Sequence, residues 1–415
     1  MKPDENQNPV SEPSTSIVTS SQPPTTDSAI APITTNPTPV NTPPPTKSHK
    51  KALVALAVVL VVVLVGGGAF ALYRHNHKAK PVASSSTTKT SSTTKSPATS
   101  TPVNTPAVTD TWDGTGSNSN WSNASNWSNG VPKTNYSLIF NLAANTSSGQ
   151  LTSNNDLTGL TLNNLTFEGG TPNAHGVESI SLSGNPISLS NGIVDTTEAD
   201  VSSSIAFNVS LTTNQAFNLN GNFGFVPVSS SNLASTDLNL GSNTLTITGS
   251  NGISFNYLSG AGTLVVNPTN GDTAVIGVGQ PSPNFTGSVK VEAGLFAITY
   301  GNSLGTATIN VSNGATLRIV TSSSSSPLAN NITLAGKGNA DSSGNDFGAI
   351  NLVGSNQNIT LSGKITLTSN TQLGIYDATS NNPGDGSGTY TLTQAPTLNG
   401  YSLSGLTSNT KVVTQ

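Results

Sequence analysis

The residues of this sequence that could support catalysis are few and scattered. His175 is the one histidine in residues 81–415, so a Ser-His-Asp arrangement would have to use it, and the surrounding HGVES contains no nucleophile elbow. The densest acidic cluster is Asp195, Glu198 and Asp200 in VDTTEAD. Glycoside hydrolysis requires two carboxylates that flank one sugar bond, and nothing in this spacing indicates that they converge. We therefore interpret the cluster as a solvated loop.

Two loops rich in glycine and polar residues match ion-binding loops only in part. NADSSGNDFG at 339–348 places oxygen-bearing side chains at alternate positions, as Ca²⁺ loops do, but its twelfth position is Ile350 instead of a bidentate glutamate. GDGSG at 384–388 is not followed by the lysine and helix of a phosphate-binding loop. Arg318 lies outside any acidic cluster of the sequence. We therefore predict no metal, no cofactor and no catalytic residue, and we expect a protein that is not an enzyme.

All three tryptophans of the chain lie in one block, TWDGTGSNSNWSNASNWSNGVP at 111–132. Aromatic faces stack on sugar rings, so Trp112, Trp121 and Trp127, together with Asp113, are candidate ligand-binding residues. The alternative is a structural cap, because the terminal unit of a stacked β-structure exposes apolar core and unpaired strand edges. We favour the cap.

Short strands are the elements that must position these residues. From residue 111 onward, apolar and polar side chains alternate in short runs, such as LTLNNLTF (160–167) and ITLSGKITLTS (359–369). A period of two predicts strands with one buried face, and Gly and Asn supply the corners between them. No segment after residue 111 shows the period of an amphipathic helix.

The strand pairs recur at an irregular spacing of about 20 residues, which is the size of one coil of a β-helix. The clearest series is Val289, Ile309, Ile332 and Ile350. The sequence therefore predicts an all-β domain that forms a parallel β-helix, in which each coil stacks on the next and buries a continuous core. The alternative is a β-sandwich, which usually has longer strands and stronger aromatic core positions.

Two stretches carry a family resemblance. The W-D-G, W-S, N-W and G-x-P elements of 111–132, and the G-x-G-x-L, F-x-G and G-A-x-L elements of 258–319, are similar to bacterial surface proteins with autotransporter-associated β-strand repeats. The resemblance implies a right-handed, passenger-like β-helix and no specific activity. The sequence departs from true autotransporters in lacking a C-terminal β-barrel, so we expect the N-terminal part to provide the anchor.

The N-terminal part contains one uninterrupted apolar segment, residues 52–73, which begins at Ala52 and ends at Tyr73. About 20 apolar helical residues cross a bilayer core, so we predict a transmembrane helix that contacts the lipid bilayer. Lys and Arg are equal in number on its two sides, so charge does not orient it. An acidic, Ser/Thr-rich part follows it, which favours a signal anchor with a cytoplasmic N-terminus and an extracellular C-terminal domain. The alternative is signal-peptide cleavage after Ala71.

Composition divides the remaining chain. Residues 1–51 form a proline-rich tail with a basic flank, and residues 74–110 form a second basic flank and a Ser/Thr/Pro-rich stalk. Both are of low complexity with few side chains to bury, so we predict disorder. The β-helix domain spans 111–415, with 111–132 as its cap. Residues 81–415 carry 8 Lys or Arg and 15 Asp or Glu, and this net charge of -7 does not favour nucleic-acid binding.

These observations predict a single-pass, membrane-anchored cell-surface protein that acts as an adhesin or a surface structural element. Its expected partners are the lipid bilayer and surface glycans or cell-wall polymers. Two alternatives stay open. One is a polysaccharide-degrading lyase or hydrolase on the same fold, which needs acidic residues of successive coils on one face. The other is an envelope scaffold without an external ligand.

Overall fold

The computed structural model describes nine stretches of the chain: residues 107–142, 149–170, 178–198, 201–226, 236–269, 275–320, 326–354, 356–377 and 386–415. The predicted tail and transmembrane segment, and all but the last residues of the predicted stalk, lie outside these described residues. Within the nine stretches, no helix has the length and apolar character needed to cross a membrane.

The described residues form 29 strands and one short 3₁₀ helix, Ala124–Asn126. In chain order the strands are β1 (Thr109–Thr111), β2 (Ser137–Asn141), β3 (Gln150–Asn155), β4 (Thr161–Leu162), β5 (Asn164–Glu168), β6 (Glu178–Gly184), β7 (Ile187–Leu189), β8 (Ile193–Asp195), β9 (Val201–Ile205), β10 (Val209–Leu211), β11 (Gln215–Leu219), β12 (Asn222–Phe225), β13 (Asp237–Asn239), β14 (Thr244–Thr248), β15 (Ile253–Phe255), β16 (Tyr257–Ser259), β17 (Thr263–Val266), β18 (Val275–Val278), β19 (Ser288–Val291), β20 (Gly294–Ile298), β21 (Thr308–Val311), β22 (Ala315–Val320), β23 (Ile332–Gly336), β24 (Ile350–Val353), β25 (Gln357–Leu361), β26 (Ile365–Tyr376), β27 (Gly388–Leu392), β28 (Leu403–Gly405) and β29 (Thr410–Thr414). The prediction of an all-β domain is confirmed for these residues.

Alternating side chains explain why these segments are strands. In β6, Ile180 and Leu182 are buried, whereas Ser181 and Ser183, which follow each of them, are half-buried. Because successive residues of a strand point to opposite faces, this alternation places one face in the core and leaves the other at the surface.

The strands stack in three long parallel ladders and one shorter three-stranded sheet. Every pairing between the 29 strands is parallel. The first ladder runs through β1, β2, β5, β8, β11, β14, β17, β19, β21, β23 and β26, and the second through β3, β6, β9, β12, β15, β18, β20, β22, β24, β26 and β28. The third contains β4, β7, β10, β13 and β16, and β25, β27 and β29 form a separate three-stranded sheet.

Strand β26 joins the first two ladders into one 21-stranded sheet, because its first half pairs with β23 and its second half with β24. Parallel ladders that repeat along the chain are consistent with the predicted parallel β-helix. They exclude an antiparallel sandwich for the described residues.

The register shows how many residues each repeat uses. Leu138 pairs with Leu165, 27 residues later, whereas Val289 pairs with Ile309, 20 residues later. The repeat length therefore varies, because strands keep their register while the connections between them differ in length. The predicted series is confirmed up to Ile332. Its last member, Ile350, was assigned wrongly: it lies in the second ladder.

The core is a continuous stack of apolar side chains, with aromatic rings concentrated in its first part. Phe140 and Phe167 stack with ring centroids 5.8 Å apart, and Phe167 contacts Phe223 edge-on at 5.1 Å. Phe225 and Phe255 stack at 5.8 Å. The chain has no cysteine, so this packed interior and the strand ladders hold the domain.

Candidate binding groove

Four neighbouring strands of the first ladder each point one apolar side chain into the core, and these side chains form a row. Four residues share this row, one each from β19, β21, β23 and β26: Val289, Ile309, Ile332 and Ile365. All four are at most 2% exposed. Because side chains alternate across a strand, the residues on either side of this row must point outward.

Two outward rows flank the inward one. The row that follows it consists of Lys290, Asn310, Thr333 and Thr366. The row that precedes it consists of Ser288, Thr308, Asn331 and Lys364. A hydrogen bond of 3.0 Å from the Lys364 backbone N–H to Asn331 Oδ1 ties the last two strands together. Lysine, amide and hydroxyl groups thus form a regular polar surface.

The two rows line a groove with a volume of about 390 Å³. This volume lies within the range of roughly 300–1,000 Å³ that is usual for ligand sites. Lys290 lies on β19 and Lys364 immediately precedes β26, three rungs away, so about 14 Å of ladder separates them. The lining residues include no carboxylate and no aromatic side chain.

The groove is locally positive within an acidic part of the chain. Both lysines are exposed, and neither side chain has an ion-pair partner among the described residues. The ion pair among the described residues joins Lys337 Nζ and Asp346 Oδ2 at 3.8 Å. Neither of these two residues lines the groove. The arrangement can therefore offer two cations and several hydrogen-bonding side chains to one ligand.

The sequence did contain a signal for the groove. Each of the four strands carries polar residues immediately before and after a buried aliphatic residue, and a lysine occurs in two of these pairs. Period two indicates that such residues point outward, but it does not indicate which strands stack. The lysines are 74 positions apart in sequence, and only the register brings them to one surface.

The predicted tryptophan block lies at the N-terminal end of the ladders and is packed into the core. Trp112, Trp121 and Trp127 are 2%, 0% and 4% exposed. The Trp127 ring contacts the Trp112 and Trp121 rings edge-on, with centroids 5.0 Å and 5.7 Å apart. Phe140 lies beneath all three, at 5.8–6.3 Å. The tryptophans therefore extend the aromatic core.

Hydrogen bonds fix this block onto the strands. Trp121 Nε1 donates to Ser153 Oγ at 3.1 Å, and Trp127 Nε1 donates to the Trp121 carbonyl oxygen at 3.0 Å. The Trp121 backbone N–H donates to the carbonyl oxygen of Asn154 in β3. Asp113 is half-buried, and its backbone N–H donates within the block. The geometry favours capping, because stacking on a sugar would require a ring face that protein does not cover.

The interpretation of the acidic cluster as a solvated loop is wrong for Asp195, which is 0% exposed. Asp195 ends β8 at an inward position, in register with Phe167 and Leu219. Burial raises the pKa of its carboxyl to about 6, although Thr197 donates to it from Oγ1 at 2.7 Å and from its backbone N–H at 3.0 Å. Glu198 is half-buried, and Asp200 and His175 lie outside the described residues.

Arg318 is buried beneath a loop. Its Nε donates to Asn351 Oδ1 at 3.0 Å, and its guanidinium lies over the rings of Phe347 and Tyr376, 4.7 Å and 5.3 Å from their centroids. Burial lowers its pKa to about 10, so it stays charged at neutral pH. Its contacts are those of a structural cation.

The loop at 339–348, which matches Ca²⁺ loops in part, uses the Asp341 carboxylate to accept hydrogen bonds from its own backbone. Asp341 Oδ1 accepts hydrogen bonds from the backbone N–H groups of Ser343 and Asn345, at 2.9 Å and 2.8 Å. In the parts of the chain that the structure describes, no group of three or more His, Cys, Asp or Glu side chains is placed to hold a metal ion.

No protein-family model, curated protein or solved structure matches this chain. The functional assignment therefore depends on the groove and on the organisation of the sequence.

Proposed function

We propose that this chain is a single-pass, membrane-anchored cell-surface protein, an adhesin or surface structural element, whose extracellular part is a right-handed parallel β-helix. The observation that carries the proposal is the groove on the first ladder. Its outward rows repeat at the strand spacing of about 4.8 Å, so an extended polymer that lies across the strands meets a new polar group at every rung. Such a surface suits a surface glycan or a cell-wall polymer.

The sequence around the domain supports display outside the cell. Residues 52–73 have the length and composition of a bilayer-spanning helix. The Ser/Thr/Pro-rich segment within 74–110 would hold the domain away from the membrane, since extended chain rises about 3.1 Å per residue. The resemblance to surface proteins with autotransporter-associated repeats agrees with this location.

Protease treatment of intact cells tests the proposal. With separate antibodies against residues 1–51 and 111–415, we expect the domain to be released or removed from intact cells while the tail remains protected. Digestion of the tail with survival of the domain until lysis would reverse the topology and overturn the proposal.

A variant without residues 52–73 provides the control. It lacks the predicted anchor, so its domain should stay inside intact cells and become accessible to protease only after lysis.

In the unmodified chain, signal-peptide cleavage after Ala71 would instead release into the medium a fragment that begins at Leu72. Mass spectrometry of the cell-free medium distinguishes that outcome from anchoring.

A further inference from the structure

We infer that the groove between β19 and β26 binds a linear, hydroxyl-rich polyanion, with its acidic groups on Lys290 and Lys364 and its hydroxyl groups on the Asn, Ser and Thr side chains that line the same groove. The inference rests on the proposed function, because it names the class of polymer that a displayed domain would meet.

Charge selects the sign of the ligand. The groove contributes two positive charges and no negative charge, although residues 81–415 as a whole carry a net charge of -7. A polyanion is repelled by the net charge of residues 81–415 and attracted by the two lysines of the groove lining, so electrostatics favours binding there. A cationic ligand has no carboxylate to pair with there.

Spacing selects a polymer instead of a small anion. The lysines lie about 14 Å apart along the ladder, which is too far for one carboxylate or phosphate to contact both. A chain with repeated acidic groups can reach both lysines at once. The strands beneath are fixed by parallel pairing, so the groove loses little conformational entropy when it binds.

The lining selects a hydroxyl-rich backbone. Besides the lysines, six polar side chains with amide or hydroxyl groups line the groove: Ser288, Thr308, Asn310, Asn331, Thr333 and Thr366. These groups both donate and accept hydrogen bonds, as sugar hydroxyls require. No aromatic ring lines the groove, so neutral glycans lack a stacking surface and gain little from it.

The shared chemistry is an acidic group on a hydroxyl-rich chain, and it has two sources: carboxylates of uronic acids or phosphodiesters of a poly(polyol phosphate). We would measure binding of the purified full chain to polygalacturonate, to poly(glycerol phosphate) and to neutral dextran. We expect binding to one or both polyanions, weakening as salt rises, and far weaker binding to dextran. The polyanion bound more tightly identifies the source.

Two double variants locate the site. Lys290→Gln with Lys364→Gln should weaken polyanion binding about ten-fold, because the two substitutions remove both exposed ion pairs with the ligand. Lys133→Gln with Lys411→Gln removes the same charge from exposed positions outside the groove lining and should change affinity by about two-fold or less. Circular dichroism checks that both variants are folded.

Three results would overturn the inference: no binding of either polyanion, equal binding of dextran, or an equal loss of affinity in both double variants. Because binding is measured on the purified chain, its failure would leave the display result on intact cells unaffected. Conversely, an inverted topology on cells would refute the proposal that the domain is displayed outside the cell. Binding of polyanions to the purified chain would still test the groove.

Discussion

The Asp195 carboxyl ties the stability of the core to pH. Its pKa is raised from 3.8 to about 6, because burial disfavours the charged form. Between these pH values the folded protein binds the proton more tightly than the unfolded chain. Its contribution to the free energy of unfolding therefore falls as pH rises from about 4 to about 6 and stays low at higher pH.

We expect Asp195→Asn to raise the free energy of unfolding at pH 7.5 by about 2–3 kcal/mol, because the variant no longer buries a carboxylate whose pKa burial has raised from 3.8 to about 6. The variant should also lose the decline between pH 4 and 6. Urea unfolding at pH 4, pH 6 and pH 7.5 measures both effects. Glu292→Gln removes a charge from an exposed residue and should change stability by about 0.5 kcal/mol or less. A destabilised Asp195→Asn protein at pH 7.5 would contradict the prediction.

The position of Asp195 shows where residue-level reading of the sequence failed. Ile193, Asp195 and Thr197 occupy alternate positions and are all buried, so the period of two did continue through them. The interpretation of VDTTEAD as a solvated loop depended on the lack of any sign that its carboxylates converge, and it did not use this alternation. The sequence gives no local signal for the surroundings of Arg318, because the rings of Phe347 and Tyr376 that its guanidinium contacts come from a later loop and a later strand.

At the scale of elements, glycine corners set where each strand ends. Gly249 follows β14 with a φ of 106°, a conformation that L-residues rarely adopt. A Cβ built on it would overlap the carbonyl oxygen and backbone nitrogen of Leu219 in β11, the neighbouring strand. The corner is thus both conformationally restricted and too close to the stacked backbone for any side chain.

We predict that Gly249→Ala costs about 3 kcal/mol or more in the free energy of unfolding, because positive φ and the backbone overlap both oppose it. Gly314 is the matched control. It has a φ of 82° but no atom within 4 Å of its added Cβ, so Gly314→Ala should cost about 1–2 kcal/mol. Denaturant unfolding of both variants tests the difference, and equal losses would refute the role of the stacked backbone.

The sequence predicted these elements better than their stacking. Alternation and glycine corners indicated short strands, and the spacing of Val289, Ile309 and Ile332 indicated neighbours in one ladder. The step to Ile365 failed because 33 residues, instead of about 20, separate it from Ile332. Strand patterns are local, whereas register depends on the length of each connection, and no local signal fixes that length.

At the scale of the whole molecule, the second ladder begins at β3, and this end needs to be covered against other chains. A parallel ladder exposes unpaired N–H and C=O groups at its last strand, and another strand can pair with them. Here Asn120 forms a bridge with Asn154 of β3, and Trp121 donates to the same strand. The tryptophan block therefore occupies the edge at which another chain would otherwise add.

The last prediction follows from this edge. Trp121→Ala removes a fully buried ring and should lower the free energy of unfolding by about 3–5 kcal/mol. It should also release the β3 edge, so light scattering should show more self-association than in the unmodified protein. Ser153→Ala removes only the acceptor of Trp121 Nε1, and we expect a loss of about 1–3 kcal/mol in the free energy of unfolding without association.

Every tryptophan lies in the block, so tryptophan fluorescence reports on the cap and circular dichroism on the strands. In Trp121→Ala the fluorescence of the other two tryptophans should change at lower denaturant than the dichroism. Coincident transitions with no association would show that the block is merely part of the core and protects no edge.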